Sequence, residues 1–429
     1  MPLRTCRKDS NGINERQVQT FRNKKMDRDN IKKPVYDGLI LKKIIPAVLL
    51  IFAFFLFPSN LLSVEIFHHP RPSDNLEARW NWAVTNGTKP GLKNGFWIGY
   101  SIKKQMGENT YYVSTGMGIC TIRTSYSFHS YKRGTTLREI LYGKRAEPEL
   151  SNMEQMKRVA KQALDELKNP RRTQRKVWKD VAILFQFEPD SPKAPRHIKL
   201  CNLFVSFGPE DLPIFWLDKA DYNQSFLLLR RMYGNVKEES QKKRFLSAIG
   251  IHSNSERVVP FLEKVLKSRE TDTVRGRAAI ELGEHDTKQA LECLIQTVKN
   301  DHSLYVRKKA VSGLEDMEQE AAVDALIELA RRADNMVIRR RAISALGDIA
   351  SRKVTAVLEE CVYNDEYTEV QKQAVYAFED LPNGEGIPYL IKIAKNHPKV
   401  KIRKSAIYCL GDSGDSRARD ALIEIIREK

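Results

Sequence analysis

The sequence predicts an α-solenoid of stacked helical hairpins, preceded by an α+β domain and a single N-terminal transmembrane or signal segment. Three observations carry this expectation. A pattern of small and apolar residues returns every 32 residues through the last part of the 429-residue chain. Runs rich in aromatic and β-branched residues, cut by glycines, fill the middle. An apolar run with basic flanks lies near the N-terminus. The expected divisions are a basic tail over 1–43, the apolar segment over 44–64, the α+β domain over 68–235 and the solenoid over 236–429.

The repeat is explicit. Leu262, Leu294, Leu326, Leu358, Leu390 and Leu422 are spaced by 32, as are Ala278, Ala310, Ala342, Ala374 and Ala406. Val274, Val306, Ile338, Val370 and Ile402 form a third ladder, and Leu282, Leu314, Leu346, Phe378 and Leu410 a fourth. Four ladders in one register mean a repeated structural unit. Within a unit, Ile338, Ala342, Leu346 and Ile349 keep helical spacing. Val354, Val357, Leu358, Cys361 and Val362 do the same after a short break. Each unit is therefore two antiparallel helices, with the alanine expected where these two helices come close. Gly283, Gly347 and Gly411 follow the first helix and are expected to be left-handed caps. A single hairpin cannot bury its apolar stripes, so five or six units must stack.

The stretch "TVRGRAAIELGEHDTKQALECLIQTVKND", with its V-R-x-x-A-x-x-x-L-G core and following A-x-x-x-L-I, resembles the HEAT-like repeats first associated with phycobilisome lyases. The resemblance covers about residues 242–429, and Gln371 stands where the pattern has arginine. It implies a fold and not an activity. "FWLDKADYNQSFLLLRRMYG" followed by "SAIGIHS" resembles the junction of bacterial exported HEAT-repeat proteins.

In the middle region "GFWIGYSIKK", "TYYVSTG", "ICTIRTSYSF", "VAILFQF", "IKLCNLFVSF" and "PIFWLD" read as strands. "SNMEQMKRVAKQALDELKNP" over 151–170 reads as a capped amphipathic helix, and "QSFLLLRRMYG" over 224–234 as a helix leading into the repeats. Trp97, Tyr100, Tyr111, Tyr112, Phe215 and Trp216 are the aromatics expected in the strand core.

The net charge is +18, with its excess before the repeats. Ile44 to Phe57 is apolar throughout, and Lys32, Lys33, Lys42 and Lys43 precede it. With Leu61, Leu62 and Val64 the run approaches the ~20 residues that span a bilayer. The positive-inside rule puts the tail in the cytoplasm and the later domains across the membrane, with secretion after signal cleavage as the alternative. Met26 is an alternative start to Met1. The nearly balanced repeats leave no broad electrostatic footprint, so nucleic acid is not an expected partner. The six cysteines lack metal-type spacing. Cys120 and Cys201 share the α+β domain, where an export compartment would permit a disulfide.

Arg275, Arg307, Arg339 and Arg403 open successive first helices. Each is expected to pair with an acid of the preceding turn, such as Asp301 or Asp334. Arg277, Lys308, Lys309, Arg340, Arg341 and Lys404 are the candidates for contact with an anion or a partner. His252 and His285 are expected as surface histidines in turns. Some HEAT-repeat enzymes hold iron through recurring His-Glu pairs; this chain has one reversed Glu284-His285 and no His-Glu. With no G-x-S-x-G or phosphate loop either, no catalytic, cofactor or metal residue is assigned and no cofactor is expected. The leading expectation is a membrane-tethered protein-binding scaffold whose concave face, built from the second helices, holds another protein. The alternatives are an enzyme or enzyme subunit with its site in the middle domain, and binding of an anionic polymer or lipid headgroups by basic stripes.

Overall fold

The computed structural model describes residues 64–89, 92, 94–107, 110–115, 118–122, 135–143, 176–188, 194–209, 212–347, 349 and 351–427, without the side chains of 113–115 and 118–122. The basic tail, almost all of the apolar segment over 44–64 and the helix expected over 151–170 lie outside them. Among the described residues no helix is long and apolar enough to cross a membrane.

The N-terminal part is a mixed sheet with helices on both faces. β1 (Ile66–His68), α1 (Leu76–Gly87), β2 (Phe96–Gly107), the hairpin β3 (Tyr111–Thr115) and β4 (Gly118–Ile122), α2 (Leu137–Tyr142), β5 (Lys176–Phe187), β6 (His197–Asn202), β7 (Ile214–Lys219) and α3 (Tyr222–Asn235) follow in order. The main sheet runs β1-β7-β2-β5-β6. β7 is parallel to both β1 and β2, whereas β5 is antiparallel to β2 and β6. Side chains alternate between its faces. Ile98, Tyr100, Ile183, Phe185 and Phe215 point to one core, and Trp97, Leu184 and Trp216 to a second beneath α2. Trp97, Tyr100, Tyr112, Phe215 and Trp216 are all buried, as expected of core aromatics, and Tyr111 is half-buried. Cys201 is buried as a free thiol.

Two helices escape the strand reading of this region. α1 starts where the Asn75 side chain accepts from Ala78 N, and it buries Leu76, Trp80 and Ala83 at helical spacing. α2 carries a full capping box, in which Thr136 and Glu139 satisfy each other's backbone N–H groups.

Six hairpins follow: α4 (Glu239–Gly250) with α5 (Ser255–Leu266), α6 (Asp272–Gly283) with α7 (Lys288–Asn300), α8 (Leu304–Asp316) with α9 (Glu320–Arg332), α10 (Met336–Gly347) with α11 (Arg352–Asn364), α12 (Thr368–Asp380) with α13 (Ile387–Asn396), and α14 (Val400–Asp412) with α15 (Ser416–Arg427). All four ladders face inward. Every alanine of the ladder is fully buried, and so are the leucines from Leu262 to Leu390. One apolar cluster runs unbroken from Leu76 in α1 to Ala418 in α15, joined where Phe245 of α4 meets Phe185 of the sheet. The core is therefore continuous across the expected division at 235/236. Outside it, Lys104 of β2 pairs with Glu284, and Lys176 of β5 with Glu318.

The glycines act differently from the expectation. Gly283, Gly347 and Gly411 close their helices in ordinary helical backbone; the left-handed glycine of the last hairpin is Gly414. Gly283 and Gly347 instead allow close approach of successive first helices. A Cβ on Gly283 would lie 2.3 Å from the carbonyl oxygen of Gly313, and one on Gly313 would lie 2.5 Å from that of Ala279. Gly411, in the last hairpin, has nothing within 4 Å of that position. Gly283→Ala should therefore lower stability by about 1–3 kcal/mol through overpacking. Gly411→Ala should be neutral or raise it by up to about 1 kcal/mol through helix propensity. Urea midpoints of the two variants check this; equal losses would mean that the glycines serve the turn and not the stack.

Candidate functional site

Arg275, Arg307 and Arg339 are structural, and their geometry corrects the expected pairing, whereas Arg403 meets no acid among the described residues and donates to the His397 and Pro398 carbonyls at 2.7 and 3.1 Å. Arg275 makes a two-pronged bond to Asp301 at 2.8 and 3.0 Å, a third bond to Asp272 at 2.9 Å, and reaches the carbonyl of Leu266 at 3.4 Å. Arg307 donates to the Val298 carbonyl at 2.6 Å and to Asp334 at 2.7 Å. Arg339 pairs with Asp365 at 2.9 Å and Glu366 at 3.2 Å, and its guanidinium sits over the Tyr367 ring. The acid thus comes from the turn after the arginine's own hairpin and not from the turn before it. An antiparallel hairpin brings the end of its second helix back to the start of its first. The backbone carbonyls that Arg275 and Arg307 reach belong to the hairpin before. Each of these two arginines therefore ties the C-terminal ends of two successive second helices, where cations are favoured by the helix dipole. In α12, Gln371 replaces the arginine. It donates to the Asp365 carbonyl and accepts from Lys399, both at 2.9 Å.

The six contact candidates divide in two. Arg277 is held by Glu281 at 3.3 Å. Arg341 bonds Glu315 and the Ser312 hydroxyl. Lys309 lies between them with its ammonium 5.5 Å from the Tyr305 ring centre; burial, and then Arg277 and Arg341, hold its pKa below the usual lysine value. These three are committed within the protein. Lys308, Arg340 and Lys404 are exposed and make no side-chain hydrogen bond or ion pair among the described residues. Lys372 occupies the same register; it is half-buried and likewise makes no side-chain hydrogen bond or ion pair among the described residues.

These four residues form a fifth ladder, spaced by 32 and repeated on α8, α10, α12 and α14. Packed helices lie about 8–10 Å apart, which sets the pitch of the charges. Exposed Tyr376 and Tyr408 stand one turn beyond Lys372 and Lys404, and exposed Leu304 and Val400 one turn before Lys308 and Lys404. The 32-residue spacing of Tyr376 and Tyr408 was the available signal for this surface. The second helices differ: Asp324 with Lys353, Arg331 with Glu360, Glu359 with Lys392 and Lys395 with Glu424 pair one second helix with the next.

Where the sheet meets the repeats, the two histidines expected at the surface are buried, His252 at 0% and His285 at 3% exposure. Tyr100 of β2, Ser225 of α3 and His252 form a chain with both links at 2.8 Å, and His252 Nδ1 reaches the Ile249 carbonyl at 3.1 Å. One direction satisfies every group: Tyr100 donates to Ser225, Ser225 to His252 Nε2, and His252 Nδ1–H to Ile249. Burial drives the pKa of both histidines down to about 4. Beside them Glu281 accepts from the Ser247 hydroxyl at 2.8 Å and fits against the bare Cα of Gly250. Burial lifts its pKa to about 7 despite Arg277.

A second polar cluster lies in the α/β part, in a cleft of about 370 Å³ lined by Ser101, Arg138, Tyr142, Asp180, Asp218 and Lys219. Asp218 has φ +55° at a bulge where β7 slips against β2, which turns its carboxylate out of the regular pleat. Asp180 meets Lys103 at 3.2 Å. Such a cleft suits a small polar molecule. Among the described residues no group of His, Cys, Asp and Glu that could hold a metal ion occurs.

Glu281 binds its proton more tightly folded than unfolded. Its stabilising contribution is full below the ordinary value of 4.5 and is lost as pH rises through about 7. Glu281→Gln should therefore match the wild type in acid and exceed its stability above neutrality by roughly 1–3 kcal/mol. The buried histidines oppose this trend in both proteins, since their neutral forms stabilise above 6.5 and that contribution is lost as pH falls towards 4. The difference between the two proteins isolates Glu281. A difference that stays constant with pH would show that folding does not raise the pKa of Glu281.

The sequence profile of HEAT repeats matches residues 237–314, 259–347, 294–379 and 355–429. Among solved structures, the chain is similar to the complex of CpcE and CpcF of phycocyanin lyase from Nostoc sp. PCC7120, at 19% identity and a TM-score of 0.29, covering 36% of this chain and 97% of that one. It is also similar to human deoxyhypusine hydroxylase in complex with glycerol, at 18% identity and a TM-score of 0.22, covering 48% of this chain and 84% of that one. A third likeness is to Escherichia coli YibA, at 15% identity and a TM-score of 0.30, covering 48% and 77%. No curated protein matches the chain. With overlapping profile matches over 237–429 and six stacked hairpins in the same residues, this part of the chain is an array of HEAT-like repeats.

Proposed function

We propose that the protein is a binding scaffold that holds an acidic segment of another protein along its first helices. HEAT repeats typically mediate protein–protein contact, which gives the general class. The observation that carries the specific reading is the ladder of Lys308, Arg340, Lys372 and Lys404, four unpaired cations at the repeat pitch with exposed apolar side chains beside them. Exposed cations next to tyrosines suit an acidic partner with apolar anchors. The second helices, expected to form the partner face, spend much of their charge on one another. This favours the first-helix side.

The charge reversals Lys308→Glu, Arg340→Glu and Lys404→Glu, combined, should leave melting within about 1 kcal/mol of the wild type, because these exposed groups have no partner to lose. The same protein should no longer retain a partner that the wild type holds at about 0.05 M salt and releases at about 0.5 M. Retention of that partner by the triple variant would refute the reading.

The scaffold is also proposed to be tethered through residues 44–64 with its repeats exported. The support is the basic flank before Ile44 and the apolar run after it. Alkaline phosphatase fused after Lys429 should be active, and an inactive cytoplasmic fusion would reject export. The lesser reading, an enzyme or enzyme subunit, would use the cleft around Asp180 and Asp218, where the bulged Asp218 is the favouring observation.

A further inference from the structure

A second cleft lies between α3 and α5, on different helices from the cation ladder. Its volume is about 490 Å³. That is within the range of sites that enclose a drug-sized group or a few side chains. The floor is apolar. Phe226 and Tyr233 of α3 meet Phe261 of α5 edge-to-face at 5.9 and 5.6 Å, and Val265 and Pro260 complete it. The tyrosine hydroxyl is already engaged, donating to Glu270 at 3.1 Å, and Glu270 is also paired with Lys242 at 2.6 Å. The floor therefore has no polar demand of its own.

The rim is cationic. Arg230 of α3 and Arg257 and Lys264 of α5 line the opening, all exposed and none with a side-chain hydrogen bond or ion pair among the described residues. Glu256 is the one unpaired acid on the rim. Solvated lysines and arginines are common on any surface. Three of them around an aromatic floor are a different matter, because the floor supplies burial and the rim supplies a sign of charge.

Spacing selects the occupant. Arg257 and Lys264 are seven residues apart on one helix, hence about 10 Å apart along the cleft. Arg230 faces them from α3. A single headgroup on an acyl chain meets one of these positions at a time. A polypeptide with an apolar side chain between acidic ones meets all of them.

We infer that the cleft between α3 and α5 anchors an acidic peptide segment of a partner protein, with one aromatic or large aliphatic side chain on the Phe226–Tyr233–Phe261 floor and flanking carboxylates on Arg230, Arg257 and Lys264. This rests on the scaffold reading in taking a protein as partner, but it uses residues that the cation ladder does not.

The test uses the full chain and fluorescein-labelled synthetic peptides read by anisotropy. The probe is Glu-Glu-Phe-Leu-Glu-Glu, with Glu-Glu-Gly-Ser-Glu-Glu and Lys-Lys-Phe-Leu-Lys-Lys as controls. Only the first should bind saturably, and the exposed double variant Arg257→Glu/Lys264→Glu should weaken it by about tenfold or more. Lys308→Glu/Arg340→Glu should bind the probe like the wild type, which separates this cleft from the ladder. The proposal is overturned if no saturable binding occurs up to about 1 mM. It is equally overturned if the glycine-serine peptide binds as well, if the ladder variant loses the probe while the cleft variant keeps it, or if lauric acid or anionic vesicles bind through Arg257 and Lys264 while the peptide does not.

Discussion

The close approach of one first helix to the next is the constraint on which the rest of the structure depends. Gly283, Gly313 and Gly347 permit it, because a methyl group at these positions would press on the neighbouring helix. Once the first helices lie this close, the apolar ladders of both helices register without a gap and one core passes from hairpin to hairpin. The first hairpin extends the same core to the sheet through Phe245. The repeats and the sheet are therefore mechanically one body, and the buried polar groups at their junction, His252, His285 and Glu281, are sealed by the same packing.

Close stacking also forces a division among the cations. The start of each first helix lies beside the ends of two second helices, which present carbonyl groups and the acids that follow them. Arg275 fills that place most completely, bonding a carbonyl behind and Asp301 ahead. The next residue of the same helical turn faces outward, where the stack offers it no acid. Lys308, Arg340, Lys372 and Lys404 occupy that outward register. A single run such as Arg339-Arg-Arg341 thus contains one residue for the stack, one left for solvent or a partner, and one held by Glu315 of the previous first helix.

The sequence disclosed the array well because 32-residue periodicity is a property of the order of residues alone. Helix pairing, inward faces and the structural role of the leading arginine all followed from it. What the pattern could not disclose was which neighbour each residue meets. Gly283 reads as a cap because it ends a helix, but its role is set by Gly313, 30 residues later, in the adjacent hairpin. The direction of the arginine pairs was misread for the same reason. His252 and His285 read as turn residues, and they are buried because α3 and the sheet cover that end of the array. In the α/β part the strands were legible from their aromatic runs. α1 was missed although Leu76, Trp80 and Ala83 keep helical spacing, and α2 was missed although Thr136 and Glu139 spell a capping box. Of the candidate surface, three residues were named in advance. Lys372 was not, because its set lacks the leading arginine.

One pair of urea midpoints tests this division of charge most directly. Arg275→Gln removes a buried fork to Asp301 and should lower stability by about 1.5–3 kcal/mol. Arg340→Gln removes an exposed charge without a partner and should change it by less than about 0.5 kcal/mol. Equal losses, or a larger loss for Arg340→Gln, would contradict the claim that the stack uses one register of cations and leaves the other free.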